Sequence, residues 1–346
     1  IIHIWNFIIG MSPAFWDDGL DYWLPNWGKP GQPGEGLTHY PSDFTRDVIP
    51  IPCHSHNDYW RRIPLYEALH YGCTGVEADV WLFDEELYVG HDTASLTRNR
   101  TFRGLYVDPL VSILNKQNPQ TEFNNSTRNG VFDEDAEQTL VLLVDFKTNG
   151  RDIWPYVEEQ LSALREKNYL TYFDGEKIIP GPITVVGTGN TPFDMVIANP
   201  TYRDIFFDAP LSRMWQQPDN SPPTESLSEV ATSILTGQGL VGVSSSTEFD
   251  STNSYYASVN FRATVGILWR GRLSDRQIQR IRGQIQGAHE RGLKVRYWNT
   301  PNWPIGMRNH IWHVLVKEGA DMLNVDDLRS AARRDWRRRD ERMNDL

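Results

Sequence analysis

The sequence predicts an α/β protein: a (β/α)8 TIM barrel, somewhat irregular, with a long insertion after its third strand. Three observations predict it. Short apolar runs alternate with amphipathic helical stretches from residue 48 to residue 325, the pattern of a parallel sheet covered by helices. Several of those apolar runs end in charged residues, and in such barrels functional groups collect at the carboxyl ends of the strands. The 346 residues leave room for two domains but fit equally well a single barrel of about 250 residues with additions.

Residues 1–47 form an irregular lead-in in which Trp16, Trp23 and Trp27 stand among Gly and Pro and no period is sustained. Its opening run, Ile1-Ile2-His3-Ile4-Trp5-Asn6-Phe7-Ile8-Ile9-Gly10, is interrupted by polar residues and too short to span a bilayer, which takes about twenty apolar residues. The remnant of a longer anchor or signal and a segment packed on the domain both fit it. The barrel spans residues 48–328. Its first strand is Val48–Cys53, and the helix Ile63–Tyr71 stops at Gly72. Strands two and three hold Glu77 with Asp79, and His91. Residues 93–138 are a polar insertion with one helix, Pro109–Asn115. The run Thr139–Thr148 reads as a strand buried on both faces.

A helix over Trp154–Lys167 follows, then strands at Ile183–Gly187, Ile205–Asp208, Tyr256–Phe261 and Val265–Trp269. The helix Asp275–Arg291, the strand Leu293–Trp298, the helix Met307–Glu318 and the strand Met322–Val325 complete the alternation. Residues 329–346 carry seven arginines, Arg329, Arg333, Arg334, Arg337, Arg338, Arg339 and Arg342. That tail reads as a solvated terminal helix.

The net charge of −11 argues against a nucleic-acid partner, whose binding footprint is basic. Two cysteines, Cys53 and Cys73, make no disulfide framework. Counted from an inward-facing His56 and Glu77, Cys53 points out of the barrel and Cys73 into it, which predicts free thiols. Acceptor sequons at Asn99, Asn124 and Asn125 predict a secretory-pathway protein, extracellular or membrane-anchored and lumenal.

Residues two apart on a strand share a face, so Glu77 and Asp79 point the same way. Carboxylates facing an interior are costly unless positive charge meets them. With Asp145 from a separate strand they offer three hard oxygen ligands, suited to one divalent cation, Mg²⁺ ahead of Ca²⁺. A zinc site would more often recruit imidazoles or thiols. The histidines then remain free, and His56 and His91 supply the base and acid that cleavage of a phosphodiester needs. Lys147 adds a fixed positive charge for the transition state, and Trp298, at a strand end, offers a stacking wall for substrate. Together these describe a metal-assisted phosphodiesterase. Plain structural roles compete at each position: barrel arginines as partners of Glu77 and Asp79, a simple Lys147–Asp145 ion pair, Trp298 as core filling, and His54 and His91 as structural histidines.

The segment Ser55-His56-Asn57-Asp58-Tyr59 is similar to the one that opens the barrel of phosphatidylinositol-specific phospholipases C. Val76-Glu77-Ala78-Asp79-Val80 with Gly90-His91-Asp92 resembles the paired motifs of glycerophosphodiester phosphodiesterases. Leu142–Thr148, containing Asp145 and Lys147, looks like the third metal strand of sphingomyelinase D-type enzymes. As a whole, residues 48–327 most closely resemble the fungal altered inheritance of mitochondria protein 6-like family of the phospholipase-C-like superfamily. The resemblance implies a TIM-barrel phosphodiesterase with His56 and His91 as its acid/base pair and Glu77, Asp79 and Asp145 on the metal. Asn57 joins the ligands if the site follows the phospholipase C pattern. The His-Arg-Gly opening of glycerophosphodiesterases proper is absent. His54 competes with His56 for the histidine role, and Asn57 beside His56 tips the choice. The expected substrate is a phospholipid or lysophospholipid head group, with a membrane surface as partner, and the expected state is a monomer. A catalytically silent barrel that binds head groups or a protein is the alternative, and a carboxylate glycosidase is a third reading.

Overall fold

A near-continuous apolar run folds as a strand buried on both faces, its successive side chains alternating between them, and here such strands close into a barrel. A computed structural model describes residues 26–36, 44–123, 128–215, 239–334 and 336. The strands are β1 (Ile51–Ser55), β2 (Cys73–Phe83), β3 (Glu86–Val89), β4 (Leu140–Phe146), β5 (Tyr172–Phe173), β6 (Ile178–Ile179), β7 (Ile183–Gly189), β8 (Ile205–Pro210), β9 (Ser254–Asn260), β10 (Lys294–Trp298) and β11 (Met322–Val325). The α-helices are α1 (Tyr66–His70), α2 (Asp108–Gln117), α3 (Gly150–Arg165), α4 (Phe193–Val196), α5 (Phe261–Val265), α6 (Asp275–His289), α7 (Ile305–Glu318) and α8 (Leu328–Ala332). Eight strands pair in parallel in the order β1-β11-β10-β9-β8-β7-β4-β2, and a β1–β2 pairing closes the ring. The predicted TIM barrel is the fold observed.

The alternation sorts each strand into two faces. Val76, Ala78 and Val80 of β2 and Leu142 and Val144 of β4 join Ile153, Val157 and Leu161 of α3 in the layer between sheet and helices. Burying each such side chain contributes about 1.5–3 kcal/mol. The opposite faces line the barrel interior, where Val141, Leu143, Val186, Tyr256 and Met322 form a separate small cluster. Helix ends follow local chemistry. Ser274 and Gln277 make a capping box at the start of α6, and α7 stops at Gly319 in the left-handed region.

Four expectations are corrected. First, β3 is not a barrel strand: it runs antiparallel to β2, with Phe83 opposite Glu86. Asp84 and Glu85 both take positive φ, 48° and 62°, making a two-residue hairpin turn with no room for the crossover that a parallel strand needs. The insertion therefore follows a hairpin. Second, Val265–Trp269 is not a strand; α5 covers Phe261–Val265, and Gly266, at φ 88°, ends it. Third, the first strand lies at Ile51–Ser55, two or three residues beyond Val48–Cys53.

Fourth, Cys53 and Cys73 are not free thiols but a disulfide, with Cα atoms 4.7 Å apart. Strand parity misleads here because the β1–β2 register shifts between Ile51 opposite Cys73 and His54 opposite Gly75. That extra residue in β1 undoes the in/out count.

Contacts divide the chain into residues 1–43 and 44–346. Within the first unit, residues 26–36 form successive turns in which Gly34 lies against the Trp27 ring. The opening run of residues 1–10, Trp16, Trp23, the sequons at Asn124 and Asn125, and residues 337–346 of the basic tail lie outside the described residues. Among the described residues no helix is long and apolar enough to cross a membrane.

Candidate active site

At the carboxyl ends of β2 and β4 the interior-facing residues change from apolar to acidic. Glu77 stands beside Leu143, and Asp79 pairs directly with Asp145. Glu77, Asp79 and Asp145 each offer an oxygen within 4.8 Å of the others. Lys147, just past β4, places Nζ 2.9 Å from Asp79 Oδ2 and 2.5 Å from Asp145 Oδ2. Among the described residues no arginine forms an ion pair with these acids. The buried Arg296 instead reaches Ser258, Asn324 and Asp208 deeper in the barrel.

β1 places the two candidate histidines in different surroundings. His54 is fully buried in the barrel interior, edge-on to Tyr256 at 5.8 Å between ring centroids, and neither of its nitrogens has a hydrogen-bond partner. Gly75 makes room for it, since a Cβ there would run into His54 Nδ1. His56, two residues on, reaches the rim. Its Nδ1 is 2.7 Å from Asp326 Oδ1 and its Nε2 is 4.0 Å from Glu77 Oε2. His91 arrives by a different route. The β2–β3 hairpin folds back so that the Gly90 N–H donates to the Asp79 carbonyl, leaving His91 Nδ1 4.0 Å from Asp79 Oδ2. The Trp60 ring packs against His91 at 4.8 Å.

Asn57 takes a left-handed backbone, φ 47°, and its N–H donates to Glu77 Oε2 at 3.0 Å. The buried Tyr59 hydroxyl is 2.7 Å from both Asn57 Oδ1 and Asp79 Oδ2 and shares its one proton between them. Asn57 thus stands at the edge of the acid cluster. Trp298 ends β10, half-buried, three strands round the ring from β2 by way of β11 and β1.

The electrostatics follow from burial and neighbours. Burial, then the Asp145 charge, raise the pKa of Asp79. Its Oδ1 is buried with no hydrogen-bond partner. Burial would raise Glu77 too, but the positive field of His56 and Arg296 holds it below the usual carboxylate range. For His56, burial opposes the charged form, while the carboxylates of Glu77 and Asp326 outweigh it and raise the pKa. Lys147 is raised because Asp145 and Asp79 overcome its own burial.

Three contributors were not assigned a role from sequence. Asp326 follows β11 and orients His56. Tyr59 bridges Asn57 and Asp79. Arg61 bonds the carbonyls of His56, Val325 and Asp326, fixing the loop after β1. Tyr59 lies within the Ser55–Tyr59 motif, which carries its signal. Asp326 and Arg61 had none beyond their places next to a strand end and a motif.

Fold and site together define a TIM-barrel protein with a carboxylate, lysine and histidine centre at the carboxyl ends of its strands. Residues 42–208 match the AIM6-like phosphodiesterase domain, so the domain is of phosphodiesterase type. The chain is 42% identical over 303 residues to the altered inheritance of mitochondria protein 6 homolog of Arthroderma benhamiae, covering 85% of this chain and 87% of that one. To altered inheritance of mitochondria protein 6 of Eremothecium gossypii it is 34% identical over 296 residues, 82% of this chain and 70% of the relative. The Saccharomyces cerevisiae protein of the same name is also 34% identical, over 82% of this chain and 71% of its own length. The chain belongs to the altered inheritance of mitochondria protein 6 family. No solved structure matches it. These relatives overturn the secretory expectation drawn from the sequons: their names concern the inheritance of mitochondria, not secretion.

Proposed function

We propose that the chain is a metal-dependent phosphoric diester hydrolase acting on a phospholipid or lysophospholipid head group. The observation that carries this reading is the Glu77, Asp79 and Asp145 cluster, with oxygens within 4.8 Å of one another, flanked by two histidines and a lysine on one rim. The residues fit a hard divalent cation. Three carboxylates converge, one of their oxygens, Asp79 Oδ1, is buried and unpartnered, and no thiol faces the cluster. Glu77, Asp79 and Asp145 would hold the ion, Mg²⁺ ahead of Ca²⁺, with Asn57 a further oxygen beside them. Bound there, the cation would neutralise phosphate charge and polarise the phosphoryl group.

The chain's own groups supply the proton transfers. His56, held through Nδ1 by Asp326, accepts at Nε2 the proton of a hydroxyl neighbouring the phosphate on the substrate. That oxygen forms the new bond to phosphorus as the head-group ester bond breaks, and His91 donates a proton to the departing oxygen. The product is a cyclic phosphate, in keeping with the absence of a Ser or Cys nucleophile from the motifs. Lys147 adds positive charge where charge builds on the phosphoryl oxygens. Tyr59 keeps Asn57 and Asp79 in register, and Trp298 provides a stacking wall. The enzyme acts as a monomer.

The test is turnover of a lysophospholipid panel, whose free glycerol hydroxyl neighbours the phosphate, with Mg²⁺, Ca²⁺ or EDTA. Activity that survives EDTA, or that is unchanged in His56→Ala and His91→Ala, contradicts the proposal. Metal binding by calorimetry without turnover of any diester replaces it with the head-group-binding module.

A further inference from the structure

Large apolar side chains left in water need a reason when they cluster, and five of those on this chain stand in connections at the catalytic end. The connection from α5 to α6 exposes Ile267 at 91% and Trp269 at 78%, and the connection from β10 into α7 exposes Trp303 at 77% and Ile305 at 59%. Both connections follow carboxyl ends of barrel strands, so they stand on the rim that carries the acid cluster. Trp60, 59% exposed in the connection after β1, continues the belt.

The charge there runs against the rest of the molecule. Residues 261–276 hold Arg262, Arg270, Arg272 and Arg276 against the single acid Asp275, four minus one giving +3, in a chain of net charge −11. The Arg270 guanidinium lies 6.0 Å from the Trp269 ring. A cavity of about 910 Å³ between Ile267, Trp269, Arg272 and Gln277 adjoins a second of about 670 Å³ lined by Pro304, Met307 and His310, and Arg270 and Arg272 line both. Tryptophans and isoleucines interleaved with exposed arginines suit the interfacial layer of a bilayer, where the rings sit at headgroup level and the guanidiniums meet phosphates.

We propose that this rim is a docking surface for an anionic phospholipid bilayer. The inference rests on the lipid-diester reading above, which it deepens. A protein partner seated on the rim would cover the mouth of the site, whereas a bilayer presents the substrate to it. The rim is also tied to the chemistry. Asn302, beside Trp303, donates to Asp326 Oδ2 at 2.8 Å, and Asp326 Oδ1 holds His56.

The experiment is co-sedimentation of the full chain with vesicles of phosphatidylcholine alone and of phosphatidylcholine mixed with phosphatidylserine. The expected result is salt-sensitive binding to the anionic vesicles. The pairs Trp269→Ala with Trp303→Ala, and Arg270→Glu with Arg272→Glu, are expected to weaken it about tenfold or more. Because these side chains are exposed, both variants should keep the wild-type unfolding midpoint and the wild-type rate on a soluble short-chain lysophospholipid. No wild-type binding to anionic vesicles, binding unchanged in both variants, or a rim that instead mediates self-association in gel filtration overturns the proposal. Loss of soluble turnover with vesicle binding intact overturns only the hydrolase reading, so the two failures are separable.

Discussion

His54 and His56 differ by two residues in sequence and by their whole environment in the fold. His54 is sealed in the barrel, and burial, then the Arg296 charge, push its pKa well below the ordinary histidine value. Below the unfolded pKa of about 6.5 the unfolded chain takes up a proton that the folded chain refuses. Stability is therefore fully present above that pH and falls as pH drops below it, at up to about 1.4 kcal/mol per unit for this one group. Urea unfolding at neutral and mildly acidic pH should show that loss, and His54→Phe should remove much of it; an unchanged pH slope in the variant would contradict this assignment. His56 and His91 should behave as reacting groups instead. Replacing either by Ala is expected to lower turnover by about 10²–10⁴-fold with the fold intact by circular dichroism. Asp326→Asn should lower kcat without a matching change in KM, because Asp326 acts through its hydrogen bond to His56. A change confined to KM would show that it acts otherwise.

At the scale of elements, β1 and β2 carry most of the site and are also cross-linked. The Cys53–Cys73 bridge joins residues 20 apart, and closing a loop of that size stabilises the fold by about 3 kcal/mol in the chain-entropy account. Cys53→Ala with Cys73→Ala should lower the urea midpoint accordingly; an unshifted midpoint would mean that the bridge contributes nothing. The elements also show what could be read in advance. Glu77, Asp79, Asp145 and Lys147 were legible because period-two alternation fixes which strand residues share a face, and the register places Asp79 opposite Asp145. The hairpin was not legible, because Asp84 and Glu85 adopt positive φ without the Asn or Gly that usually announces such a turn. The disulfide was hidden by a one-residue shift that parity counting cannot see. Asp326 was one acid among many until the ring closed and brought the end of β11 against β1.

On the scale of the whole molecule, the barrel interior is layered: an apolar cluster around Val141, Leu143 and Tyr256, a polar middle around Arg296, and the acid cluster at the rim. Arg296 is buried beside Asp208 and contributes to the field that keeps Glu77 ionised. Arg296→Met removes that cation from the barrel centre and is expected to cost about 3–5 kcal/mol of stability. Equilibrium unfolding checks it, and a neutral or stabilising result would mean that the neighbouring polar groups re-pair without it. All three layers depend on ring closure, which sets acids from β2 and β4 across from the histidine at the end of β1. The central claim is that this closure builds a cation site between the two histidines. Its most direct measurement is anomalous diffraction from crystals soaked in Mn²⁺ as a stand-in for Mg²⁺. The account predicts one strong peak among Glu77, Asp79 and Asp145, lost in Asp145→Asn. Lys147 still bridging Asp79 and Asp145 with no peak between them would contradict it.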